Sequence, residues 1–152
     1  MKQYRGLEIK QVVELIDSIL YSTDLTDKKN VYKSQIEEDQ SMLTNDVLCL
    51  ITDDEQSFLL ASVDEDDCSI TISMWAGVNN KINFKQMIEY INVLKGLLEP
   101  IAKQAEIIAS FRTTTSLPIM KRLIKRYDMQ INYIGEEEDG FCEMSICYNY
   151  MK

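Results

Sequence analysis

The stretch WAGVNNKINFKQMIEY, residues 75–90, sets three asparagines and two lysines where a strand-like run meets a long helical one. A helix N-terminus points several backbone N–H groups at one place, and that place attracts an anion such as a phosphate. Asn79, Asn80 and Asn83 are turn and cap residues, and Lys81 and Lys85 could meet the anion's charge. Val78 to Lys85 holds no glycine, and bulky Ile82 and Phe84 occupy the approach. A divergent anion site and an ordinary capped helix start both fit these residues.

Other reactive groups are scarce. The chain has no histidine, which removes the commonest general base, every Ser-His-Asp triad and every Cys-His dyad. Its four cysteines, Cys49, Cys68, Cys142 and Cys147, form no CxxC, so a zinc site would need scattered thiols. Cys49, Cys142 and Cys147 lie in apolar runs, and all four are expected to be reduced and unligated, with no metal site. Carboxylates cluster in DDE (53–55), DEDD (64–67) and EEED (136–139). A catalytic base needs burial to raise its pKa, whereas Glu55, Asp64, Glu65, Asp66 and Asp67 read as solvated hairpin tips. Thr113, Thr114 and Thr115 close a predicted strand, where they could either bond a ligand or cap the next helix. No residue is nominated as catalytic.

Composition narrows the classes. The 152 residues suit one domain, with 45% hydrophobic side chains to fill a core and 27% charged. A net charge of −9 repels nucleic acid and anionic membranes, so direct nucleic-acid binding is not expected. The main positive cluster is KRLIKR at 121–126. No apolar run reaches the roughly 20 residues of a membrane span, and MKQYRGLEIK has no signal-peptide core. A cytoplasmic or virion setting is the expectation.

The elements that must position these residues follow from hydrophobic period. KQYRGL (2–7) suits a short strand. Ile9, Val12, Val13, Ile16, Ile19 and Leu20 recur at helical spacing over about 8–21. A more polar helix is predicted over 27–42. The period then shortens. DVLCLIT (46–52), SFLLASV (57–63) and CSITISMWA (68–76), joined by acidic turns, predict an antiparallel meander. Phe84, Met87, Ile88, Ile91, Leu94, Leu98 and Ile101 form the longest helical stripe, with a kink or restart expected near Pro100. EIIASF (106–111) is a strand, and LPIMKRLIKRY (117–127) a helix with Pro118 in its first turn. MQINYIG (129–135) and GFCEMSICYNY (140–150) are closing strands.

The resulting order, β-α-α-β-β-β-α-β-α-β-β, resembles the GNAT family of N-acetyltransferases over nearly the whole chain. The matching pieces are the paired N-terminal helices, CSITISMWAG, INFKQMIEYINVLKGLLEP, EIIASF and SLPIMKRLIKRYDMQINYI. The resemblance implies one α+β domain over 1–152, with a central, mostly antiparallel sheet flanked by helices. It also implies an acetyl-CoA pyrophosphate held where a Q/R-x-x-G-x-G/A pattern turns into a helix, and a helix-four tyrosine that protonates the leaving thiolate. Here the corresponding loop has no glycine. Setting Asp128-Met129 against the family's Gly-Phe puts Ile124 at the tyrosine position, with Tyr127 three residues further on.

These departures lead to a non-catalytic GNAT-like module without a cofactor as the first expectation. It would be a structural or protein-interaction component with a protein partner, akin to degenerate members encoded by bacteriophages and used in virion assembly. A second expectation is a divergent acetyl-CoA-dependent N-acyltransferase acting on a cationic amine, its cofactor met by Asn79, Asn80, Lys81, Asn83 and Lys85. A third is an acidic inhibitor or regulator of a basic partner, with Trp75 and the acidic turns as the contact.

Overall fold

The structure is a computed structural model that describes residues 1–21, 34, 36–38, 46–77, 84–100 and 104–149. Its elements are β1 (Lys2–Arg5), α1 (Ile9–Tyr21), β2 (Asp46–Ile51), β3 (Ser57–Asp64), β4 (Ser69–Gly77), α2 (Phe84–Leu98), β5 (Gln104–Arg112), α3 (Ser116–Arg126), β6 (Gln130–Ile134) and β7 (Phe141–Asn149). The strands form a seven-stranded sheet in the order β1-β2-β3-β4-β5-β7-β6. β1 with β2, β5 with β7 and β6 with β7 are antiparallel, while β4 and β5 are parallel. The fold is therefore the expected mixed α+β class with a mostly antiparallel sheet. The helix predicted over 27–42 lies largely outside the described residues, although Ser34 and Ile36 to Glu38 are helical. The chain divides into two compact units, Met1–Ser62 with Ser73–Ile82 and Val63–Ile72 with Asn83–Lys152.

In the first unit, α1 starts with Gln11 reaching back. The backbone N–H of Glu8 donates to its Oε1 at 2.9 Å, so one orphan donor of the helix end is satisfied. Val12 and Ile16, one turn apart, are fully buried against Val47, Cys49 and Ile51 of β2 and Phe58 and Leu60 of β3. Leu48, Leu50, Leu59 and Ala61, on the alternate positions, are fully buried as well. Burial on both faces is why these two strands read as unbroken apolar runs rather than as alternation. Gly6, at φ +68, makes the sharp exit from β1, and its N–H donates to Val47 O at 2.9 Å.

In the second unit, β5 alternates strictly. Ile107, Ala109 and Phe111 are buried, while Ser110 and Arg112 are exposed. Ile146, Met144 and Cys142 of β7 stand directly opposite the buried three. Both α2 and α3 pack on β5 and on each other. They contribute Met87, Tyr90, Ile91 and Leu94 from α2, and Met120, Leu123 and Ile124 from α3. α2 stops at Leu98, with Glu99 and Pro100 in a turn, so no kink falls within it, and a restart after Pro100 would lie outside the described residues.

The end of α3 explains a non-glycine residue in a glycine position. Asp128 adopts φ 51, and Met129 N donates to Ile124 O at 2.9 Å while Asp128 N donates to Lys125 O at 3.4 Å. This nested pair of bonds closes the helix with a left-handed residue, and buried Met129 and Ile124 supply the accompanying apolar pair.

Candidate functional site

β4 ends at Gly77 and α2 begins at Phe84. Of the residues proposed for that junction, Asn79, Asn80, Lys81 and Asn83 lie outside the described residues, as does Ile82. Lys85 is described and stands exposed in the first turn of α2. Phe84 beside it is half-buried, and the guanidinium of Arg122, from α3, lies 4.8 Å from its ring centroid. A ring face holds a guanidinium by its quadrupole and leaves the N–H fork free to bond. The first turn of α2 contains no acidic residue. Phe84 is thus a platform for the Arg122 guanidinium.

The first turn of α2 thus carries the Arg122 guanidinium on Phe84 and, one residue on in sequence, exposed Lys85. Its donor set is cationic, it includes a planar fork suited to phosphate oxygens, and no carboxylate in that turn competes for it. These residues fit an anion such as the pyrophosphate of acetyl-CoA. Arg122 was not singled out from the sequence, where only the basic run KRLIKR was visible. Its link to Phe84 spans 38 residues of sequence and needed the packing of α3 on α2.

The cap at Asp128 fixes the register of α3. Asp128 is left-handed, and Ile124, the residue that the sequence reading set against the family's tyrosine, is buried at 8% exposure. Tyr127, three residues on, is engaged elsewhere. Its ring carries Lys95 Nζ at 4.6 Å, and the same ammonium lies 3.9 Å from the ring of Tyr148. Lys95 joins the end of α2 to the cap of α3 and the end of β7, which gives Tyr127 a structural task.

The threonines are similarly engaged. Thr113 Oγ1 donates to Glu137 Oε1 at 2.8 Å, and Thr113 N donates to Gly140 O at 3.0 Å, so the end of β5 is tied to the EEED turn. Thr115 occupies the N-cap position of α3 without a side-chain cap bond. Ser116 Oγ instead accepts from Arg112 N at 2.7 Å.

The acidic turns are built rather than merely solvated. Asp54 Oδ1 accepts from Thr52 Oγ1 at 2.7 Å and from Gln56 N at 3.0 Å. The flanking acids are paired, Asp53 with the Met1 amine at 2.9 Å and Glu55 with Lys2 at 2.6 Å. The Glu55 carboxylate raises the Lys2 ammonium above its ordinary range, chiefly by the hydrogen bond. In the DEDD turn Asp64 Oδ1 accepts from Asp67 N at 3.1 Å. At the last turn Asp139 and Gly140 take φ 53 and φ 81 between bonded Glu138 and Phe141, a tight Asp-Gly hairpin. None of these carboxylates is brought to the Lys85–Arg122 corner by a described bond.

No disulfide joins the cysteines. Burial pushes the Cys49 thiol up to about 12. Cys147 is raised by burial and then by the charge of Glu106, which accepts from Ser145 Oγ. Cys142 is buried, and its Sγ donates to Gly135 O at 3.1 Å. Among the described residues no group of His, Cys, Asp or Glu is placed to hold a metal ion, and no helix is long and apolar enough to cross a membrane.

No protein-family model matches the chain, and no curated protein is significantly similar to it in sequence. Solved structures are similar over its whole length. An aminoglycoside 6'-acetyltransferase type Ii aligns at a TM-score of 0.59 and 10% identity, covering 100% of this chain and 99% of that one. The aminoglycoside 6'-N-acetyltransferase from Enterococcus faecium gives 0.50 and 8%, covering 100% and 98%. A GNAT-family acetyltransferase from Bacillus anthracis gives 0.51 and 12%, covering 100% and 97%. The expectation of a non-enzyme is overturned by this comparison, since each of the three is an acetyltransferase. The expectation of no cofactor loses its support with it, because it rested on the same missing glycines and tyrosine. At such identities the likeness concerns architecture, and the chain has the GNAT fold.

Proposed function

We propose that the protein is a divergent acyl-CoA-dependent N-acyltransferase whose acceptor is a cationic amine. The observation that carries this reading is the cationic corner, with Arg122 4.8 Å above the Phe84 ring and Lys85 beside it in the first turn of α2. It lies at the start of α2, the junction where the resemblance led us to expect the coenzyme's pyrophosphate. Arg122, Lys85 and the loop residues Asn79, Asn80, Lys81 and Asn83 would hold that group. Acetyl-CoA, when bound, supplies the acetyl group and the thiol leaving group. Two of the similar structures are aminoglycoside acetyltransferases, and a net charge of −9 favours approach of an acceptor of that cationic kind.

The chain's own residues divide the work unevenly. Arg122 and Lys85 bind and orient an anion, with Arg122 held ready by Phe84, so little side-chain freedom is lost on binding. Ile124 has no proton to give, so this position of α3 would supply no acid to a leaving thiolate. Catalysis then rests on positioning rather than on a dedicated acid.

Calorimetry with acetyl-CoA tests the assignment. The expected result is a saturable heat in the wild type, with affinity lowered about tenfold, or 1.4 kcal/mol, in Arg122→Ala and again in Lys85→Ala. Wild-type protein that gives no saturable heat would reject it.

A further inference from the structure

β5 lies inside the sheet, between β4 and β7, yet its third residue is the carboxylate Glu106. Side chains alternate along the strand, so Glu106 stands on the face turned away from α2 and α3, which cover Ile107, Ala109 and Phe111. There it is half-buried, and Ser145 Oγ, on a residue only 7% exposed, donates to its Oε1 at 2.5 Å. Among the described residues no cation pairs with it. The ion pairs Met1–Asp53, Lys2–Glu55 and Arg5–Asp46 all belong to the other compact unit. A half-buried carboxylate is costly to keep when nothing meets its charge.

The neighbours of Glu106 say what would meet it. Cys147 stands opposite it on β7, and the register of β6 on β7 slips between Ile131 and Tyr133, which makes Asn132 the extra residue of a bulge. A bulge re-aims a side chain, and here it brings Asn132 to Cys147. The thiol is raised by burial and then by the Glu106 charge, and lowered by a hydrogen bond with the Asn132 side chain. Glu106 acts on this thiol from β5 and Asn132 from β6, so the small Cys147 side chain is the floor between a carboxylate and an amide. Glu106 Oε2, Asn132 Oδ1 and the Ser145 Oγ lone pairs are all acceptors. A primary ammonium brings what this set lacks, three N–H donors and one positive charge. A metal ion suits it less, since among the described residues no three of His, Cys, Asp and Glu are grouped to hold one.

We infer that Glu106, Ser145 and Asn132 form a binding site for the primary ammonium group of a small organic cation, seated over Cys147 on the sheet face turned away from α2 and α3. The ammonium donates to Glu106 Oε2 and to Asn132 Oδ1, the first a charge-assisted bond. Ser145 is a positioning residue, holding the other carboxylate oxygen so that Oε2 stays free for the ligand. The inference does not depend on the acyltransferase reading, since none of these residues belongs to the Lys85–Arg122 corner and binding is read without acetyl-CoA.

Calorimetry of the full chain with spermidine, in about 0.15 M salt to screen the exposed acids, tests it. One saturable site is expected in the wild type. Glu106→Gln, which keeps an acceptor for Ser145 Oγ, should lower the affinity at least about tenfold with unchanged circular dichroism. Asn132→Leu, a change to an exposed side chain, should lower it as well. Glu136→Gln removes the same charge from the exposed EEED turn and should leave the affinity within about twofold. Tetramethylammonium, which has the charge but no N–H, should not displace spermidine. A wild type without saturable binding overturns the inference, as does a Glu106→Gln protein that binds like the wild type. Equal losses in Glu106→Gln and Glu136→Gln overturn it too, because binding would then follow net charge alone. If Glu106→Gln does not fold, Asn132→Leu decides, and an unchanged affinity there overturns the inference.

Discussion

Cys49 lies at the middle of β2 with no exposed surface, and burial pushes its thiol from an ordinary 9.0 up to about 12. The folded chain therefore holds that proton more tightly than the unfolded chain. The stability tied to it is complete below about pH 9 and is lost as pH rises toward 12, at up to about 1.4 kcal/mol per pH unit. Denaturant unfolding between pH 8 and pH 10.5 should show wild type losing ground steadily against Cys49→Val, and parallel pH profiles for the two proteins would contradict this. Ile124 offers a residue-scale test of the site. A tyrosine there is expected to supply the missing acid and raise turnover by about 10²-fold, while overpacking costs about 1–3 kcal/mol of stability. An Ile124→Tyr variant that folds and binds acetyl-CoA but turns over no faster would show that leaving-group protonation does not limit this chain.

At the scale of the element, the end of α3 is the most informative piece of backbone. Asp128 sits at φ 51, where a β-branched residue is strained and glycine is at ease. Asp128→Val is expected to lower stability by about 1–2 kcal/mol, and Asp128→Gly to leave it equal or higher; thermal unfolding of the pair distinguishes them. Burial also separates what the sequence reveals from what it does not. β5 and α2 were legible because one face of each is buried and the period shows it. The Asp139-Gly140 hairpin was not read from the sequence, although that dipeptide tolerates two positive φ values in succession. The platform of Phe84 under Arg122 was not, since a half-buried aromatic and a basic run far along the chain carry no mark of their meeting. Nor was the pairing of Asp53 and Glu55 with Met1 and Lys2, which requires the register of β1 on β2 that sets Lys2 opposite Ile51. Missing glycines and a missing tyrosine were read as missing activity, although a binding corner can be made by side chains brought from another helix.

For the whole molecule, each compact unit holds large buried side chains, with Phe58 and Ile16 in one and Phe111 and Tyr90 in the other. Truncating Phe58 or Phe111 to alanine should cost about 3–5 kcal/mol. If the chain is the single domain expected from its length, either truncation lowers one shared calorimetric transition, whereas two separately displaced transitions would make it two domains. The net charge of −9 acts at this scale as well, since it would favour approach of the proposed cationic acceptor, an effect that weakens as salt rises. The central claim is that this divergent chain still transfers an acyl group. Its most direct test is release of free CoA thiol from acetyl-CoA by the purified protein, with and without a panel of polycationic amines, aminoglycosides among them. The account predicts release that requires both the amine and the protein and falls at least about tenfold in Arg122→Ala. No amine-dependent release from any member of the panel, by wild-type protein at saturating acetyl-CoA, would contradict it.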